Sequence, residues 1–121
     1  MARILLAEDD AAVSAFVSRA LRHRGHEVTP VPDGSAALGA LALGAADFEL
    51  LLTDIVMPGV DGIALALKAS KDHPQMKILL MTGFSSERQR AYNLEALIHR
   101  VITKPFTLEE ICTAVDEALA G

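Results

Sequence analysis

The sequence predicts an α/β fold built on a doubly wound, five-stranded parallel sheet with the strand order 2-1-3-4-5. Five short apolar runs alternate along the chain with stretches that have the apolar spacing of helices. Neighbouring parallel strands need a crossover connection, and such crossovers place helices on the faces of the sheet. The second run contains Pro30, which cannot donate a ladder hydrogen bond and therefore places that strand at an edge.

The five strands are predicted from runs of four to six residues that are rich in leucine, isoleucine and valine. Continuous apolar character in the first, third and fourth runs indicates central positions that are buried on both faces of the sheet. In chain order the strands are RILLA (3–7), EVTPV (27–31), ELLLT (49–53), KILLMT (77–82) and RVIT (100–103).

The first predicted helix follows strand one and ends at Gly25, where a left-handed cap is expected. The helix that follows strand three is expected to end before Pro74. The residues that carry the apolar stripes are Val13, Phe16, Val17, Ala20 and Leu21 in the first helix, and Ile63, Leu65, Ala66, Leu67 and Ala69 in the other.

The last predicted helix begins with a capping box, in which Thr107 is the N-cap and Glu110 lies three residues further on. Phe106 directly precedes the cap and is expected to pack against Ile111 as a hydrophobic staple. Another helix is predicted over roughly 86–98, with Tyr92 on its outer face. The residues expected to face the core are Leu108, Ile111, Val115 and Leu119 in the last helix, and Ala91, Leu94, Leu97 and Ile98 in the helix over 86–98.

Length and composition are those of a single globular domain: 121 residues, of which 51% are hydrophobic. Because the chain begins with Met1 and ends one helix after Lys104, we expect one domain spanning 1–121 without an output domain. No apolar run approaches the roughly 20 residues of a membrane helix and the start is too short for a signal peptide, so a cytoplasmic protein is expected. The net charge of −5 and the scattered basic residues disfavour nucleic-acid binding.

Cysteine and histidine do not suggest a further site. The single cysteine, Cys112, excludes an internal disulfide and is expected to be a small packing residue of the last helix. The histidines have no evident second metal ligand and are predicted to face solvent or to cap helices; they are His23, His26, His73 and His99.

Acidic residues follow two strands that are neighbours in the predicted sheet. Glu8 and Asp9 come after strand one, and Asp54 comes after strand three, at the switch point where sheets of this order bind ligands. Each acid alone could cap the next helix, as we expect for Asp10, but three converging carboxylates repel one another unless a cation neutralises them. The sequence therefore predicts a magnesium site, because Mg²⁺ prefers a few carboxylates and leaves room for water and phosphate oxygens.

Two further polar residues end strands at the same edge of the sheet. Thr82 ends strand four and could donate its hydroxyl to a phosphoryl oxygen, while Lys104 follows strand five and could pair its ammonium with the same group. The bond between Lys104 and Pro105 is a candidate cis peptide. Together these groups predict a site for a phosphoryl group.

The segments AEDD, TDIVMPGVDG, MTG and TKPF together resemble the receiver domain of two-component response regulators, and the resemblance covers the whole chain. It implies a CheY-like fold, which is flavodoxin-like and has three layers. The segments RILLAEDD, LLTDIVMP and TGF are most similar to the CpdR type of stand-alone receiver.

The resemblance implies a phosphorylation switch in which Asp54 is the nucleophile. It would accept a phosphoryl group from a phosphohistidine of a histidine kinase or a histidine phosphotransfer protein. The implied Mg²⁺ ligands are Asp9, Asp54 and the backbone carbonyl of Val56, with Glu8 acting through a water. Thr82 and Lys104 would contact the transferred phosphoryl group.

Three positions depart from the best-known receivers. Val101 stands where those receivers carry an aromatic residue that reports the state of the site, so the output is expected through the loop 83–86, helix 86–98 or Phe106. Val56 and Phe84, two residues after Asp54 and Thr82, cannot hydrogen-bond an attacking water. We therefore predict that the phosphorylated form loses its phosphate slowly.

Three functions are compatible with this reading of the sequence. The first is a stand-alone signalling receiver that binds a protein target through helix four (86–98), strand five and helix five; the CpdR-type resemblance implies an adaptor for a Clp-type protease. The second is a phosphate shuttle or sink between phosphotransfer proteins. The third, a Mg²⁺-dependent phosphohydrolase with an aspartyl-phosphate intermediate, is disfavoured because Val56 stands where a second aspartate would act as acid or base.

Overall fold

The computed structural model describes residues 2–44, 48–83 and 100–120. Its five strands are all parallel and form one sheet of order β2-β1-β3-β4-β5, which confirms the predicted topology. The strands are β1 (Arg3–Ala7), β2 (Glu27–Val31), β3 (Leu50–Asp54), β4 (Lys77–Thr82) and β5 (Arg100–Thr103).

Four strands have the predicted bounds, whereas β3 lies one residue further along the chain than 49–53. Asp54 is its last residue and pairs with Met81 of β4. The ladder extends this far because the amide of Ile55 still donates to the carbonyl of Met81, at 2.9 Å. Pro30 lies on β2, which is an edge strand as predicted.

The four described helices are α1 (Ala11–His23), α2 (Gly34–Gly44), α3 (Gly62–Asp72) and the C-terminal helix (Leu108–Ala120). Asp10 caps α1 as predicted, because its carboxylate accepts from the amides of Ala12 and Val13 at 2.9 and 3.2 Å. The predicted capping box is also present: Glu110 donates its amide to Thr107 Oγ1 at 3.0 Å, and the amide of Thr107 donates to Glu110 Oε1 at 2.8 Å. Gly25 adopts a positive φ of 92° after α1.

Two apolar clusters cover the two faces of the sheet. Alternate residues of each strand point to opposite faces, so Leu50 and Leu52 join one cluster and Leu51 joins the other. The first cluster, which contains Ile111, packs under α1 and the C-terminal helix, and Phe106 packs against it. Cys112 is buried in this cluster, where its thiol lies 3.8 Å from the carbonyl oxygen of Ala20. The second cluster packs under α2 and α3.

Several predicted core residues are exposed instead. The prediction was wrong for Phe16, Leu67 and Leu108, whose exposed fractions are 41%, 43% and 50%. Phe16 lies beside Phe106, with the ring centroids 6.4 Å apart. The residues that the C-terminal helix buries are Ile111, Cys112, Ala114, Val115 and Ala118. His26 also differs from the prediction, because its ring is largely buried and its Nδ1 accepts from the amide of Ala2 at 3.1 Å.

The predicted helix over 86–98, together with Phe84, Tyr92 and His99, lies outside the described residues. Within the described ranges, no helix combines the length and apolar character needed to cross a membrane.

Candidate functional site

Three carboxylates converge at the carboxyl edge of the sheet. Glu8 follows β1 and Asp54 ends β3, and these neighbouring strands bring them together with Asp9. One carboxylate oxygen from each of the three lies within 4.8 Å of the others. Glu8 and Asp54 are buried, with 2% and 7% of their surfaces exposed, whereas Asp9 is open to solvent. The structure therefore assembles the predicted acidic pocket, with one open side.

Lys104 supplies a positive charge to this pocket. Its Nζ lies 2.7 Å from Glu8 Oε1 and 3.2 Å from Asp54 Oδ2, while its amide donates to the carbonyl of Thr82 at 2.8 Å. The bond between Lys104 and Pro105 is cis, as the sequence predicted. One ammonium faces three carboxylates, so the pocket keeps an excess of negative charge.

Burial and pairing shift the pKa values of both partners of this ion pair. Burial raises the pKa of Glu8 and the charge of Asp54 adds to that effect, while hydrogen bonds from Lys104 and the amide of Asp10 act in the opposite sense. Burial alone would lower the pKa of Lys104, but the hydrogen bond with Glu8 and the negative charge of Asp54 outweigh it and raise the pKa. Lys104 therefore stays protonated and holds the two acids together.

The backbone fixes Glu8 at this edge. Its amide donates to the carbonyl of Val31 on β2 at 3.1 Å, and its Oε2 accepts from the amide of Asp10 at 3.1 Å. Because Oε1 is bound to Lys104, both carboxylate oxygens of Glu8 have partners. Its side chain is thus oriented by contacts from two directions.

Thr82 and Val101 occupy the neighbouring strands. Thr82 ends β4 with 1% of its surface exposed, at the same edge as the acids. Val101 of β5 is half-buried and packs against the cluster under α2 and α3. The side chain of Val56 is 45% exposed beside the pocket and offers no polar group there.

The prediction from sequence missed two residues that lie against the backbone carbonyl of Asp54. Thr53 is fully buried, and its hydroxyl donates to the carbonyl oxygen of Asp54 at 3.0 Å. Gly62, the first residue of α3, lies so close that a Cβ built on it would stand 2.0 Å from the same oxygen. A signal existed for each: a threonine directly follows a run of three leucines, and a glycine follows the helix cap Asp61.

The donor set suits a hard divalent cation. Three carboxylates with mutually close oxygens, one of them solvent-exposed, match the oxygen ligands and water access that Mg²⁺ prefers. Softer metals favour thiolate or imidazole ligands, and no such ligand belongs to this cluster among the described residues. These residues therefore fit magnesium.

Comparison with known families gives one match, the response regulator receiver domain, over residues 4–116. The chain belongs to this family. Receiver domains accept phosphoryl groups from histidine kinases in two-component systems, and the acidic pocket described above fits phosphoryl acceptance.

Two curated relatives illustrate the range of receivers that the chain resembles. It is 39% identical to the response regulator receiver protein CpdR of Brucella abortus, over 98% of each chain. It is 34% identical to the sensor kinase CckA of the same organism over 98% of this chain, which corresponds to 12% of that kinase. Similarity thus extends along nearly the full length of CpdR, and to only a small part of CckA.

A solved structure supports the fold and the metal. The response regulator protein TrrA of Thermotoga maritima, determined in complex with Mg²⁺-BeF, is 27% identical and superposes with a TM-score of 0.88. The match covers 98% of this chain and all of TrrA. A receiver of the same architecture therefore holds magnesium together with a beryllium fluoride group.

Proposed function

We propose that this protein is a phosphorylation switch in which Asp54 accepts a phosphoryl group from a phosphohistidine of a histidine kinase or a histidine phosphotransfer protein. The observation that carries the proposal is the position of Asp54, which shares one pocket with Glu8 and Asp9 and contacts Lys104. Three charged groups gathered around one buried carboxylate are costly for a fold and useful for phosphoryl transfer.

In the transfer step, a carboxylate oxygen of Asp54 attacks the phosphorus of the donor. A new P–O bond forms, the P–N bond to the imidazole breaks, and its electron pair returns to the imidazole nitrogen. Asp54 is suited to this role because it ends a central strand with 7% of its surface exposed, which fixes its position and leaves it accessible from one side.

The residues proposed to hold magnesium are Asp9, Asp54 and the backbone carbonyl of Val56, with Glu8 acting through a water. When bound, the ion neutralises the charge that gathers between the carboxylates and the phosphoryl oxygens. Lys104 and Thr82 lie at the same edge of the sheet, where the ammonium and the hydroxyl would bind the other phosphoryl oxygens.

Phosphorylation by acetyl phosphate in the presence of Mg²⁺ tests the proposal. Mass spectrometry should detect one acid-labile phosphoryl group on the unchanged protein and none on Asp54→Ala. The matched control is Asp10→Asn, which removes a neighbouring charge and keeps a side chain able to cap α1. Equal phosphorylation of Asp54→Ala, or none in the unchanged protein, would contradict the proposal.

The lifetime of the phosphorylated form is a second prediction. The exposed, apolar side chain of Val56 cannot orient a water towards the phosphoryl group, so Val56→Asn should shorten the lifetime. Release of inorganic phosphate after removal of the donor measures it. A lifetime of seconds that Val56→Asn leaves unaltered would contradict this prediction, and would also remove one argument against a phosphohydrolase.

We propose further that the protein is a cytoplasmic, single-domain regulator of 1–121 whose state is read by a protein target. The similarity to CpdR over 98% of both chains supports this choice over the receiver of a larger protein. The proposed contact surface is formed by the predicted helix over 86–98, by β5 and by the C-terminal helix, and the proposed role is that of an adaptor for a Clp-type protease.

Direct binding tests the proposed target. A purified Clp-type unfoldase should bind the protein in only one of two states, with or without Mg²⁺ and beryllium fluoride. Asp54→Ala should abolish the difference between the states. Binding that is equal in both states, or no binding in either, would overturn the adaptor role and leave the phosphorylation chemistry untouched.

A further inference from the structure

We propose that Thr53 is a positioning residue for this site: its hydroxyl fixes the Asp54 carbonyl and the loop 55–57, which carries the proposed metal ligand Val56. The inference deepens the proposed function and rests on it. Thr53 itself touches neither the pocket nor a reacting atom, because its side chain lies on the face of the sheet that packs under α2 and α3.

A buried hydroxyl at this position is costly for the fold. Among the described residues, five polar side chains are buried, and four of them lie at the carboxyl edge of the sheet; the five are Glu8, Ser18, Thr53, Asp54 and Thr82. Thr53 has none of its surface exposed and lies in β3 between the apolar Leu52 and the charged Asp54. A valine would have the same shape without the polar group, so the hydroxyl needs a reason.

The Thr53 hydroxyl contacts both ends of the loop 55–57. Thr53 Oγ1 donates to the carbonyl oxygen of Asp54 at 3.0 Å and lies 4.0 Å from the sulfur of Met57. One side chain thus touches the residue before the loop and the residue that closes it. Because the loop has only three residues, fixing both sides limits the directions in which its carbonyl groups can point.

Other contacts restrain the same segment. The amide of Ile55 donates to Met81 at 2.9 Å, and its carbonyl accepts from Gly62 at 2.8 Å. Ile55 and Met57 are buried, whereas the Val56 side chain between them is 45% exposed. The segment is therefore anchored on both sides of Val56, and Thr53 contributes the anchor at Met57.

The experiment compares Thr53→Val, which removes the hydroxyl, with Thr53→Ser, which keeps it. Magnesium affinity is measured by isothermal titration calorimetry, and the phosphorylation rate is measured with acetyl phosphate at saturating Mg²⁺. Substitutions behind metal ligands typically weaken metal affinity by about tenfold or more, so we expect Thr53→Val to raise the dissociation constant about tenfold. Thr53→Ser should remain within about twofold of the unchanged protein.

Ile78→Val is the matched control for loss of packing. Ile78 lies in the same cluster on β4, with 1% of its surface exposed, and this change also alters one group without a large cavity. It should lower thermal stability and leave the magnesium dissociation constant unchanged. Faster amide hydrogen exchange over residues 54–57 of metal-free Thr53→Val should accompany the loss of affinity.

The outcomes separate this inference from the function on which it rests. Unchanged magnesium affinity in Thr53→Val, or an equal loss in Thr53→Ser or Ile78→Val, overturns the positioning role while the unchanged protein still binds magnesium and takes the phosphoryl group. Absence of magnesium binding by the unchanged protein overturns the proposed function and the inference with it.

Discussion

The two edges of the sheet carry similar charged residues in opposite arrangements. At the carboxyl edge, the side chain of Glu8 is fully buried and three carboxylates share a single ammonium from Lys104. At the amino edge, Arg3 pairs with Glu27 at 2.7 Å with more than half of each side chain exposed, and Arg24 pairs with Asp116 at 3.3 Å. The charged groups at the carboxyl edge are largely buried and carry an excess of negative charge, whereas those at the amino edge are exposed and form ion pairs.

This difference suggests different roles: the buried charges at the carboxyl edge serve the chemistry of the site, and the exposed charges at the amino edge keep the surface soluble. Exposed ion pairs contribute little to stability, because water screens them and their side chains lose freedom when they pair. Buried like charges oppose folding unless a partner compensates them. The carboxyl edge is therefore expected to respond strongly to substitutions and to cations, and the amino edge weakly.

The largest effect is expected from Lys104→Met, which leaves the buried carboxylate of Glu8 without its partner. Loss of one partner of a buried pair destabilises by about 3 kcal/mol, the low end of the usual range, because Lys104 is partly exposed. Urea denaturation without Mg²⁺ measures the change. Arg3→Met at the amino edge is the control, and its loss should stay below about 1 kcal/mol. Equal losses in the two variants would remove the contrast between the edges.

Among the substitutions, Gly62→Ala should have the next largest effect. The added Cβ would stand 2.0 Å from the carbonyl oxygen of Asp54, so the backbone of α3 or of β3 must shift. Overpacking of this kind destabilises by about 2 kcal/mol, and here it should also weaken magnesium binding. Gly39→Ala is the matched control, because a Cβ at Gly39 meets nothing within 4 Å and a helical alanine should stabilise by about 0.5 kcal/mol. The melting temperatures of both variants test this prediction. An unchanged melting temperature for Gly62→Ala would show that α3 can move away without cost.

Magnesium itself should sharpen the comparison. A ligand that binds only the folded state at about 100 times its dissociation constant stabilises by about 2.7 kcal/mol, so Mg²⁺ should raise the melting temperature. The increase should be lost in Asp54→Ala and retained in Glu27→Gln at the amino edge. An equal response of all three proteins would indicate binding elsewhere on the surface.

The smallest effect is expected from Asp72→Asn at the end of α3. The hydrogen bond from Lys68, at 2.9 Å, lowers the pKa of Asp72 below its ordinary value. A lowered folded pKa means that the pair stabilises the protein above about pH 4 and that the contribution is lost as the pH falls through the folded value. The melting temperatures of the two proteins should therefore differ slightly near neutral pH and converge at low pH. A difference that grows on acidification would contradict the assignment.

The sequence predicts the fold well because its three central strands are rich in consecutive apolar residues and Pro30 identifies an edge strand. It also predicts the pocket, since parallel strands bring Glu8, Asp54 and Lys104 to one edge whatever their rotamers. The sequence shows a threonine and a glycine near Asp54, but it does not show which atoms they contact. The bond from Thr53 to Asp54 and the closeness of Gly62 follow from three-dimensional packing that no spacing encodes.

Apolar spacing in a helix also does not show how deeply each side chain is buried. Phe16 and Leu108 have the correct spacing for burial, but periodicity gives only the direction of a side chain and not the width of the sheet beneath it. The apolar pattern also does not give the exact end of a strand: one further ladder hydrogen bond, from Ile55 to Met81, extends β3 to Asp54.

Cys112 gives the molecule an internal reporter of its own opening. It is the single cysteine of the chain, and burial between α1 and the C-terminal helix raises the pKa of its thiol and shields it from reagents. Alkylation should therefore be much faster in molecules in which these two helices have separated than in the closed fold. The rate of alkylation, followed by mass spectrometry, therefore reports how often the two helices separate. A partner or ion that binds the native state tightly should slow alkylation by stabilising that state.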